Sequence, residues 1–128
     1  MIVPLTPVRF LHRAMDLYPR KTGVVSGELR YTYAEFGERC ERLAYGLATE
    51  GARAGDRVAY LSYNTHRLLE GYYGAPLAGG IAMPLNVRLT ATELAQILAH
   101  AEPAVLIYEN DFAPLAGALR DAAPACKF

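Results

Sequence analysis

The chain has 128 residues, enough for one domain but not two. With 52 % apolar side chains it can bury a core, which excludes intrinsic disorder. Thirteen basic and 13 acidic side chains cancel, so net charge gives no strong electrostatic case for nucleic acid or an acidic membrane surface, and little repulsion against self-association.

Read from the start, Met1–Phe10 lacks a basic segment followed by an apolar run, so no leader peptide is expected. Thr6-Pro7 reads as a helix start, a hydroxyl cap followed by proline at the first helical position. Phe10, Leu11, Ala14, Leu17 and Tyr18 recur at helical spacing, and Pro19 stops the helix. Thr22–Val25 and Leu29–Tyr31 read as two strands joined at Ser26-Gly27-Glu28, a short β-hairpin. Thr32-Tyr33-Ala34-Glu35 is a capping box, and Phe36, Cys40, Leu43, Ala44 and Leu47 form the stripe of the helix it opens. Glu35 with Arg39, and Glu38 with Arg42, are i,i+4 pairs on its solvated face.

Gly51 ends that helix, and Arg57–Ser62 is a strand. Asn64 or Thr65 caps the next helix, carrying Leu68, Leu69, Tyr72 and Tyr73; Pro76 must kink or break it, and Gly79-Gly80 closes it. The uncharged stretch Gly71–Val87 has four glycines and two prolines and falls short of a membrane span, so it reads as a buried helix passing into the buried strand Ile81–Leu85. Thr90-Ala91-Thr92-Glu93 is a second capping box, with Leu94, Ile97, Leu98 and Ala101 as the stripe, ended by Glu102-Pro103. Ala104–Tyr108 is a strand, and a last helix runs from about Phe112 to Asp121, ahead of a short tail. Helices alternating with strands predict an α/β domain over 1–128. It has three layers, a mostly parallel sheet flanked by helices, with an N-terminal helix and the hairpin added.

Chemistry-bearing residues are sparse. Ser26 sits in a turn, where its hydroxyl bonds its own backbone, and neither Ser26 nor Ser62 lies in G-x-S-x-G. His12, His66 and His100 fall in three different helices, with no HExxH; His66 and Glu70 read as a surface i,i+4 pair. Lys21-Thr22 lacks the glycines of a phosphate loop, and Gly71, Gly74, Gly79 and Gly80 precede a strand rather than follow one. Cys40 and Cys126 have neither disulfide nor CxxC spacing and read as reduced thiols, one in a helix core. Tyr72-Tyr73 reads as core, with a pocket wall as the other option. The 11 arginines are scattered, a mark of biased composition rather than of a binding stripe.

Three segments carry a resemblance. Leu29–Leu47 resembles the first signature of the adenylate-forming (AMP-binding) enzymes; Gly55–Asn86 resembles the strand–helix–strand leading to their second; Arg88–Ile107 is similar to the next segment of acyl-CoA synthetases. The likeness runs from about Thr6 to Asn110, and Asn64-Thr65-His66-Arg67 places it nearest the medium- and long-chain fatty acyl-CoA ligases. Pro76 departs from the family pattern.

The resemblance implies part of the large N-terminal domain of that fold. It also implies a two-step reaction with ATP, Mg and coenzyme A: the carboxylate attacks the α-phosphate, and the thiol of coenzyme A then displaces AMP. The phosphate loop, ribose-binding acid, hinge arginine and C-terminal lysine all belong downstream of the matched region. No catalytic, cofactor-binding or metal-binding residue is therefore assigned here. The expectation is an N-terminal segment of a fatty acyl-CoA ligase, inactive alone, cytoplasmic, partnered by the missing downstream part of the enzyme and prone to homo-oligomerise. No nucleic-acid partner and no transmembrane segment are expected. The alternative is a stand-alone, non-catalytic interaction module; an independent nucleotide-binding domain is disfavoured by the lack of a phosphate loop.

Overall fold

The structure, a computed structural model, describes residues 5–128, so the reading of Met1–Phe10 falls partly outside it. Chain order is α1 (Pro7–Leu17), β1 (Thr22–Ser26), β2 (Leu29–Thr32), α2 (Tyr33–Thr49), β3 (Arg57–Leu61), α3 (His66–Leu77), β4 (Ile81–Pro84), α4 (Ala91–Ala101), β5 (Val105–Tyr108) and α5 (Ala113–Ala118). β1 and β2 pair antiparallel; β4, β3 and β5 form a parallel sheet in that spatial order. Among the described residues no helix is long and apolar enough to cross a membrane.

β3 is central because Val58-Ala59-Tyr60-Leu61 is apolar on both sides of the pleat, and all four residues are buried. Ala59 and Leu61 face Leu94 and Leu98 of α4, with Leu106 and Leu119. Val58 and Tyr60 face Leu47 of α2 and Leu68 and Ala75 of α3, with Val105. Helices therefore cover both faces of the sheet, as the alternation predicts. A third cluster, Leu11, Val24, Phe36 and Cys40, ties α1 and the hairpin to α2.

Several expectations are corrected. β4 is not buried on both faces: among the described residues it pairs only with β3, and Ile81 at its start is 53 % exposed. The short tail adds to the sheet, an addition the sequence reading does not make: Lys127 bridges in parallel to Val105, and the Leu106 N–H donates to its carbonyl at 2.7 Å. The last helix is broken into Ala113–Ala118 between two 3-10 turns, Asn110–Phe112 and Arg120–Ala122. Pro114 and Gly117 disfavour a longer run. In α1 only Leu11 of the expected stripe is buried; Phe10, Leu17 and Tyr18 are exposed. Met15 instead seats α1 on Gly37, where a Cβ would overlap its sulfur.

Pro76 does not break α3, which continues through Leu77. It lies in the last turn, where its missing N–H forgoes one bond to the Tyr72 carbonyl. Gly79, at φ +81°, then closes the helix: its N–H donates to the Pro76 carbonyl at 3.0 Å, and that of Gly80 to Ala75 at 2.8 Å.

Candidate functional site

The chain leaves β3 on one side to form α3 and β4, then crosses to the other side to form β5. The carboxyl ends of β3 and β5 therefore diverge, the place where open α/β sheets take ligands. Here the crevice is latched from within. Glu109, just past β5, accepts a short hydrogen bond from the Ser62 hydroxyl and one of 3.0 Å from the Tyr63 N–H. Its own N–H donates to the Leu61 carbonyl at 3.1 Å, and the neighbouring Tyr63 and Phe112 rings meet at a tilt of 48°, centroids 4.7 Å apart.

Beside the latch, at the ends of β3 and β4, lies a cavity of about 640 Å³ lined by Tyr63, Asn64, Tyr72, Leu85, Asn86 and Arg88, among others. Asn86 shapes its rim: its side-chain oxygen accepts from the Arg88 N–H at 3.0 Å. Arg88 is the one charged group on the lining among the described residues. Tyr72 is shared with a second cavity of about 450 Å³, between the hairpin and α3, whose polar end holds Ser26, Thr65 and His66. Tyr72 is thus a pocket wall, while Tyr73 packs edge-on against Phe36 as core.

Each remaining candidate has a structural partner or none. The Ser26 oxygen accepts from the His66 N–H at 3.3 Å and lies 3.4 Å from its Nδ1, so Ser26 anchors α3 rather than its own turn. His66 and Glu70 are not a surface pair: the His66 ring leans on Tyr31, and Glu70 is buried and binds Arg39, Nε to Oε1, at 2.5 Å. Arg39 therefore does not pair with Glu35, which closes the cap; Glu38 and Arg42 do pair, at 2.5 Å. Cys40 is buried as expected, and burial pushes its thiol up to about 12. Burial, then the nearby Glu70, likewise raises the Tyr60 phenol, which has no hydrogen-bond partner among the described residues. His12 and His100 are exposed on separate helices.

No group of three or more His, Cys, Asp or Glu among the described residues could hold a metal ion. The loops from β3 to α3 and from β4 to α4 contain no glycine. Neither loop therefore has the glycine-rich composition of a phosphate loop. At the sheet edge the one hydroxyl beside a carboxylate is that of Ser62, which Glu109 holds as part of the latch. Sequence reasoning missed Glu109, Tyr63 and Arg88; their signal is position directly after a strand, informative only once strand order is known.

Residues 11–127 match the family model described as AMP-binding enzyme, and the chain belongs to that family. It is 44 % identical over 115 residues to the long-chain-fatty-acid–CoA ligase of Thermus thermophilus, covering 87 % of this chain and 21 % of that protein. To the peroxisomal benzoate–CoA ligase of Arabidopsis thaliana it is 40 % identical over 114 residues, covering 89 % and 20 %. The N-terminal domain of FACL13 from Mycobacterium tuberculosis superposes with a TM-score of 0.89 at 31 % identity, covering 96 % of this chain and 33 % of that one. The chain is thus similar to N-terminal sequence of acyl-CoA ligases and spans about one-fifth of the curated relatives' length.

Proposed function

We propose that 1–128 is one structural unit that serves as the opening scaffold of a fatty acyl-CoA ligase, which converts ATP, a fatty acid and coenzyme A to acyl-CoA, AMP and pyrophosphate. In this reading the segment does no chemistry alone. It builds the first three-layer block and lends the sheet-edge cavity as a wall, and the remaining chain of the enzyme is its partner. The observation that carries the reading is the match over 11–127 joined to an edge cavity whose single charge is Arg88. A cation there suits the phosphates and carboxylates of such a reaction. Fatty acid rather than benzoate rests on the higher identity to the Thermus protein. Alone, the chain would self-associate through the open edge of β4, and the whole enzyme would work in the cytoplasm.

A chimera tests this. The Thermus ligase with its matching segment replaced by this chain should make acyl-CoA from fatty acids in preference to benzoate, and lose that activity when the segment is deleted. Equal activity with the segment deleted would overturn the scaffold role, and a preference for benzoate would overturn the substrate class.

A further inference from the structure

The net charge of zero conceals a segregation. Between Thr6 and Lys21 stand four cations, Arg9, Arg13, Arg20 and Lys21, against the single carboxylate of Asp16, which leaves nine cations against 12 carboxylates in the rest of the chain. α1 faces inward through Leu11, 4 % exposed, and Met15. Phe10, Arg13 and Leu17, at i, i+3 and i+7, share a stripe turned away from that contact. Tyr18, Arg20 and Lys21 follow in a turn fixed to α2: the Ala34 N–H donates to the Pro19 carbonyl at 3.1 Å. The Lys21 ammonium lies 5.7 Å from the centre of the Tyr18 ring. Phe10, Leu17 and Tyr18 are 59 %, 53 % and 56 % exposed.

We propose that this face of α1 and its turn docks onto an anionic lipid surface. Phe10, Leu17 and Tyr18 enter the headgroup–acyl boundary, and Arg13, Arg20 and Lys21 meet the headgroup phosphates. A second copy is a poor occupant, because a two-fold contact would set these cations against their own images, with only Asp16 on each side to offset them. A folded acidic protein would need preformed hollows for three separate apolar side chains; a lipid layer closes around each as it enters. The inference rests on the ligase reading in one respect: the downstream chain must leave this face of α1 open.

The chain has no tryptophan, so one introduced there reports cleanly. The intact chain carrying Leu17→Trp should show a blue-shifted emission with vesicles of equal parts phosphatidylglycerol and phosphatidylcholine, and none with phosphatidylcholine alone. Tyr45→Trp, on exposed α2 surface, should not shift with either. Co-sedimentation with the mixed vesicles should weaken about tenfold for Arg13→Glu with Lys21→Glu, and similarly for Phe10→Ser with Leu17→Ser, and it should fall with added salt. Circular dichroism melts of these variants should stay near the parent, because the altered side chains are exposed. Three results would overturn the proposal. They are binding indifferent to phosphatidylglycerol, loss of a vesicle-free dimer in the same variants, and equally tight polyglutamate binding that the serine variants leave intact.

Discussion

Four helices of this molecule begin at a threonine, and only two of those threonines cap. At α2 the Glu35 N–H donates to the Thr32 hydroxyl oxygen at 3.2 Å, and Glu35 accepts in return from the Thr32 N–H at 2.8 Å; α4 repeats this with Thr90 and Glu93. At α1 and α3 the hydroxyls of Thr6 and Thr65 make no cap bond. The difference lies three residues on: Arg9 and Leu68 stand where the capped helices have glutamate. Capped helices are thus held locally, while α3 is held by distant contacts, Ser26 on His66 and Arg39 on Glu70, and α1 by Leu11 and Met15.

The largest effect should come from breaking the distant tether. Glu70→Ala leaves Arg39 without its acid beside an apolar core and should destabilise by about 2–3 kcal/mol in urea unfolding. That is below the full buried-pair value, because the Arg39 side chain is 37 % exposed. Arg39→Leu with Glu70→Leu should recover much of the loss in a double-mutant cycle.

Next come the local caps. Thr32→Ala and Thr90→Ala should each cost about 1 kcal/mol at neutral pH. This difference is pH-dependent. Accepting the threonine N–H, and then the hydroxyl, lowers Glu35 and Glu93 below their ordinary value. A depressed carboxyl contributes stability above its unfolded pKa and loses it as pH falls through the folded one. The gap between parent and Thr32→Ala should therefore shrink as pH drops from about 5 toward 3; a constant gap would mean that the carboxylate takes no part in the cap.

The smallest effect belongs to the idle threonines. Thr65→Val replaces a buried, unpartnered hydroxyl with a methyl group and should shift the unfolding midpoint by a few tenths of a kcal/mol at most, in the stabilising direction. A loss as large as that of Thr32→Ala would erase the contrast between the two kinds of helix start.

The same contrast marks what the sequence can disclose. Thr32–Glu35, Thr90–Glu93 and the hairpin turn are written in adjacent residues, and so is the alternation that makes a three-layer α/β fold. Glu70 is misread because i,i+4 spacing offers His66 as a partner, whereas the true one, Arg39, lies 31 residues away on α2. The burial of β4 is overestimated because an apolar run cannot tell a central strand from an edge strand; that depends on order in the sheet. Glu109 becomes visible as a latch only when β5 is placed beside β3. Family signatures, by contrast, are legible at once, because they too are written in adjacent residues.

The scaffold reading is tested most directly by ATP–pyrophosphate exchange with the purified 128-residue chain, using fatty acids of several lengths and benzoate. The expected result is background with every acid, because the phosphate loop and lysine that the family resemblance implies belong downstream of the matched region. Exchange that rises with the concentration of the chain and survives repurification would contradict it.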